Sequence, residues 1–122
     1  MLFLHSMKSI KVFHNNRCSK SRQALALVKE ISSDIQIVDY MNITMSRGQL
    51  QDLLEQLDMK PNELLRKGES DYKAHVKGKD LSDEKIIDLM LLYPKLIERP
   101  IIVQNGKAIV ARPPELVHSF LK

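Results

Sequence analysis

Only one cysteine occurs among the 122 residues, and a single thiol cannot close an internal disulfide. That excludes the small disulfide-stapled folds and removes any need for an oxidising compartment, so the cytoplasm is the expected location. Long apolar runs are also missing: nothing approaches the ~18 consecutive apolar residues of a membrane span. The apolar start from Met1 to Ser6 lacks the length, basic flank and cleavage pattern of a secretory signal. It reads as a tail ahead of the first strand, with Met7 as an alternative start. Internal repeats and low-complexity linkers are absent too. Aromatic residues make up 5%, and there is no aromatic-rich strand, helix-turn-helix spacing or dense basic run. Nucleic-acid binding is therefore not expected, although a net charge of +4 and a pI near 9.2 favour anionic partners of other kinds.

What is present is ordinary for one folded domain spanning 1–122: 43% hydrophobic and 28% charged residues, enough to bury a core without metal or disulfide staples. Ser9 to His14 is rich in β-branched and aromatic residues and ends at the turn-forming pair Asn15-Asn16, which predicts a strand. Ala24, Leu27, Val28 and Ile31 then fall on one face of a helix beginning near Ser19. Asp34 to Tyr40 predicts a second strand and completes a parallel βαβ unit. Ser46 and Gln49 form a capping box ahead of Leu50, Leu53, Leu54 and Leu57. Pro61 opens a short helix through Leu65, and the polar stretch 67–80 reads as an exposed loop or loosely helical excursion. Ser82 caps a helix with Asp83 and Glu84 in its first turn and Ile86, Leu89 and Met90 on its apolar face; Pro94 ends it. Asn105-Gly106 between 101–104 and 107–111 predicts a hairpin with a type I′ turn, and Pro113-Pro114 launches a last helix carrying Leu116, Val117, Phe120 and Leu121. The order βαβ, helical middle, ββα gives a mixed four-stranded sheet of the thioredoxin-like kind, an α/β fold with a helical insertion between its halves.

Chemistry concentrates at Cys18, which falls at the strand-to-helix turn. Free N–H groups of a first helical turn, with the positive end of the helix dipole, stabilise an anion there and lower a thiol pKa. A lone cysteine more often packs than reacts, but this one has His14 four residues before it, Ser21 three after it, and Arg17, Lys20 and Arg22 close by. A protonated His14 and a Ser21 hydroxyl donating to sulfur would both favour the thiolate. The same turn can cradle an oxyanion. His14 with Cys18 supplies only two metal ligands, so no metal site is expected. Ser21 stands where a dithiol motif would carry its second cysteine, so any resolving thiol comes from another molecule.

The segment from His14 to Arg22 resembles the active-site loop of glutaredoxin-coupled arsenate reductases. The resemblance extends through Leu64 to Glu69, Glu98 to Val103 and Ala111 to Pro113, four blocks in order along most of the chain. Asn16 stands where members often have proline, and their long helical tail after the last block is missing. The resemblance implies Cys18 as nucleophile, His14 tuning it, Arg66, Arg99 and Arg112 binding the oxyanion, and a cis bond before Pro100. It further implies attack on arsenate to form an S–As adduct, glutathione as co-substrate with no bound cofactor, and glutaredoxin as protein partner; a monomer with no nucleic-acid or membrane partner is expected. Guanidinium groups suit a tetrahedral oxyanion because they keep their charge and bind it bidentately. Arg99 and Arg112 flank the same predicted hairpin and should lie close together. Two other readings share the scaffold: a glutathione-dependent thiol oxidoreductase of another substrate, and a regulator of the Spx kind that binds RNA polymerase. The latter usually switches through two cysteines, and this chain has one.

Overall fold

The computed structural model describes residues 9–42 and 45–121, so the expected tail from Met1 to Ser6 lies outside the described residues. The described chain groups into two units, one of residues up to Tyr40 together with those from Arg99 onward, the other from Met41 to Glu98.

In the first unit, β1 (Ile10–Phe13), α1 (Ser19–Ile31) and β2 (Ile35–Val38) form the βαβ unit; β3 (Ile101–Gln104), β4 (Lys107–Val110) and α5 (Leu116–Phe120) complete it. The sheet order is β2-β1-β3-β4, with β1 parallel to β2 and antiparallel to β3. This is the mixed, thioredoxin-like sheet expected from the element order. Alternate β1 residues Ile10 and Val12 join Ile102 on one sheet face, where they meet Ala24, Leu25 and Val28 of α1 and Val117 of α5. Asn105 and Gly106 both have positive φ, 54° and 76°, as a type I′ turn between β3 and β4 requires.

Two details differ from the sequence pattern. The buried face of α1 is Ser21, Ala24, Leu25 and Val28, while Ile31 is 44% exposed. The face is centred between Ala24 and Leu25, which leaves Leu27 and Ile31 at its rim. The second strand is shorter than expected, and Ile37 is exposed because β2 is an edge strand paired only with β1.

The second unit contains α2 (Arg47–Leu57), α3 (Ser70–His75) and α4 (Asp83–Leu92), with 3₁₀ turns at Pro61–Leu64 and Pro94–Leu96. The capping box forms as read: Gln49 N–H donates to Ser46 Oγ (3.1 Å) and Ser46 N–H donates to Gln49 Oε1 (2.8 Å). Lys85 N–H donates to Ser82 Oγ at 3.2 Å, capping α4. Leu50, Leu53, Leu64, Met90 and Leu96 are all essentially inaccessible. The stretch 67–80 holds one short helix, α3, and no residue of that helix is buried, so no apolar periodicity announced it. No helix among the described residues is long and apolar enough to cross a membrane.

Ile102 has no exposed surface and sits where β3 meets both helices of its unit. Ile102→Ala is expected to cost about 2–5 kcal/mol of unfolding free energy, read from the urea midpoint at unchanged m-value.

Candidate active site

The turn between β1 and α1 is built from buried polar groups. His14 continues the ladder beyond Phe13, its N–H donating to the Val38 carbonyl at 2.9 Å. Its Nδ1 lies 2.8 Å from Ser21 Oγ, and Asn15 N–H donates to the same oxygen at 3.0 Å. Cys18 N–H donates to the Asn15 carbonyl at 3.0 Å, and Arg17 N–H donates to Asn15 Oδ1 at 3.0 Å. Arg22 Nη1 donates to the Asn16 carbonyl at 2.8 Å, tying the outside of the loop to α1. His14, Asn15 and Ser21 are all buried. Such groups are costly to bury unless satisfied, and here each satisfies another.

Cys18 is the N-cap of α1, in extended conformation and partly exposed, with no acidic residue in the helix's first turn. Its sulfur makes no side-chain capping hydrogen bond, yet its electrostatic surroundings favour the thiolate. Burial pushes the thiol pKa up; the Ser21 N–H, the Arg99 guanidinium and the Lys20 N–H together outweigh it, and the net shift is downward. Removing charge-stabilising donors from a partly desolvated sulfur would reverse that balance.

Two expectations about this loop change. The Ser21 hydroxyl is not on the sulfur: it is engaged by His14 and Asn15, and Ser21 acts on Cys18 through its backbone N–H. His14 is not favoured as a cation. Burial, the largest influence, lowers its pKa, with Arg22 and Lys29 adding to the effect, and the opposing pull of Asn16 and Asp39 is too small to restore it. At neutral pH the imidazole is therefore mainly neutral and serves as a hydrogen-bonding post for Ser21. Sequence reasoning also missed Asn15, read only as half of a turn pair. Its side chain, N–H and carbonyl each hold a different part of the loop. The one available signal was an Asn two residues before Arg17, the spacing of an Asx turn.

The arginines divide. Arg99 is buried at 7% exposure, and the Arg99–Pro100 bond before β3 is cis. Arg112 follows β4; the Arg112–Pro113 bond is also cis, and Arg112 Nη1 donates to the Arg99 carbonyl at 3.2 Å. The hairpin brings this pair together, because Ala111 N–H donates to the Pro100 carbonyl (2.9 Å) and extends the β3–β4 ladder by one step. Arg66 belongs to the second unit, where its Nε lies 3.5 Å from Glu69 and its Nη1 3.7 Å from Glu98. Both distances exceed ordinary hydrogen bonds, and neither nitrogen has a hydrogen-bond partner. Among the described residues, no group of three or more His, Cys, Asp or Glu could hold a metal ion.

Cys18, His14, Asn15, Ser21, Arg99 and Arg112 thus form a thiol site able to attack an electrophile carrying negative charge. Iodoacetamide alkylation of Cys18 should follow a pH profile with its midpoint below the ~8.5 of a free thiol. The midpoint should move up in Arg99→Gln, which removes the guanidinium and keeps a polar side chain. Superimposable profiles for the two proteins would show that Arg99 does not act on the thiol.

Residues 13–120 match the model of the ArsC family. The chain is 45% identical over 112 residues to the uncharacterized protein YfgD of Escherichia coli, covering 90% of this chain and 94% of that one. It is 34% identical over 117 residues to the arsenate reductase of Neisseria meningitidis, covering 94% of this chain and all of the relative. The solved structure of an arsenate reductase from Vibrio cholerae superposes with a TM-score of 0.87 at 38% identity, covering 92% of this chain and 97% of that one. A family match over nearly the whole chain, on a sheet and a cysteine loop of this geometry, makes this protein a member of the ArsC family.

Proposed function

We propose that this protein reduces arsenate to arsenite. The observation that carries the reading is the setting of Cys18: a partly exposed thiol at a helix start, drawn toward the thiolate by the Ser21 and Lys20 N–H groups and by Arg99. Relatives bearing the name arsenate reductase, aligned over almost the whole chain, support the choice of oxyanion.

In the proposed reaction the Cys18 thiolate attacks arsenic(V), an S–As bond forms, and an arsenate oxygen leaves as water after protonation. Arg99 and Arg112 offset the negative charge of the oxyanion, as fixed donors do for developing charge elsewhere. A glutathione thiolate then attacks the Cys18 sulfur; the S–As bond breaks, its electron pair stays on arsenic, and arsenite leaves. Two electrons pass from the two sulfurs to arsenic, leaving a mixed disulfide on Cys18. Glutaredoxin removes the glutathione by thiol exchange and restores the thiolate. A lone-thiol cycle of this kind belongs in the reducing cytoplasm.

The test is arsenite production by purified protein with arsenate, glutathione and glutaredoxin. Cys18→Ser is expected to abolish turnover. Arg99→Ala and Arg112→Ala should each lose about 2 kcal/mol of transition-state stabilisation, roughly thirtyfold in kcat/KM. Arg66→Ala, assayed alongside, reads the third arginine that the resemblance names, and a comparable loss is expected. Absence of arsenite together with rapid reduction of small disulfides would replace this reading with a thiol oxidoreductase of another substrate.

A further inference from the structure

The chain holds no second cysteine, so every regeneration of Cys18 after a covalent event requires a thiol from solution to reach one partly exposed sulfur. Two of the exposed residues that flank it in sequence are cationic. Arg17 immediately precedes Cys18 and Lys20 lies two residues after it, and both side chains are exposed. Neither takes part in an ion pair or a side-chain hydrogen bond among the described residues, whereas Arg22 is committed to the Asn16 carbonyl and Arg112 to the Arg99 carbonyl. Nor does the first turn of α1 carry an acidic residue that would neutralise them. Their charge has no role in holding the loop, which is fastened by His14, Asn15, Ser21 and Arg22.

We propose that Arg17 and Lys20 are specificity-determining residues that select the incoming thiol by charge, favouring a small thiol that carries carboxylates over neutral or cationic ones. The inference deepens the proposed function by assigning residues to its second, thiol-dependent step. The physical basis is a local positive potential at the mouth of a single reactive sulfur. Such a potential raises the encounter rate of an anion and lowers that of a cation, and it weakens as salt shortens the Debye length to about 3 Å at 1 M. The chemical step is ordinary exchange: the incoming thiolate forms an S–S bond with Cys18, and the previous substituent leaves with the electron pair of its bond to that sulfur.

The selection can be read without arsenate. Reaction with dithiodipyridine converts Cys18 to a mixed disulfide with a neutral leaving group, and release of thiopyridone then follows attack by an added thiol. Glutathione and glutathione diethyl ester present the same thiol with and without carboxylates. Dividing each rate by that thiol's rate with free dithiodipyridine cancels its intrinsic nucleophilicity. The normalised rate ratio of glutathione to ester is expected to be about tenfold at low salt and to fall toward one at 1 M NaCl. In Arg17→Gln/Lys20→Gln the low-salt ratio should itself fall to near one, with the far-ultraviolet circular dichroism of the wild type retained. A wild-type ratio near one, or a ratio unchanged in the double variant, would overturn the proposal. Because no arsenate takes part, failure of arsenite production leaves this readout intact, and failure here leaves the arsenate reaction standing.

Discussion

The hydrogen bond between His14 Nδ1 and Ser21 Oγ, 2.8 Å long and fully enclosed, is the constraint from which the active loop follows. It joins the end of β1 to the first turn of α1, and the Asn15 N–H closes on the same oxygen at 3.0 Å. With both ends pinned, the six residues between them have few conformations left, and the Asn15 carbonyl and side chain take the N–H groups of Cys18 and Arg17. The sulfur is then held at the N-cap, beside the N–H groups that the helix leaves without intrahelical partners.

Burial favours the neutral form of both titrating groups of this loop, but it prevails at only one of them. On His14 it is the leading influence and drives the imidazole to its neutral form. On Cys18 it opposes ionisation but is outweighed by two backbone N–H groups and a guanidinium. The result is a site whose positive charge resides in arginines, which do not titrate, while histidine supplies geometry. An anionic nucleophile and cationic donors can then coexist without a proton that histidine would have to hold.

Fold information was dense in the sequence wherever one face of an element is buried and its chemistry is local. Ser46 with Gln49, Ser82 and Asn105-Gly106 each state a physical requirement within a few residues, and each appears in the structure as written. The pattern was silent at α3, which buries none of its own residues, and misleading at Ile31, where periodicity fixes a stripe but not how far the helix turns it toward the core. Ile37 failed for a related reason: strand character was legible, the strand's place at the sheet edge was not.

For the site, the sequence alone determined which groups are available: one thiol, with a histidine before it and a serine after it at a strand-to-helix junction, and arginines flanking a hairpin. Spacing along the chain establishes that proximity because it is covalent. Only the tertiary structure decided what the groups do to one another. It turned the Ser21 hydroxyl toward His14, enlisted Asn15, and carried Arg99 from across the chain to act on Cys18. Those outcomes depend on burial and on which hydrogen-bond partner is nearest. Both are set by how β1, β3 and α1 pack, and no local pattern of residues encodes them.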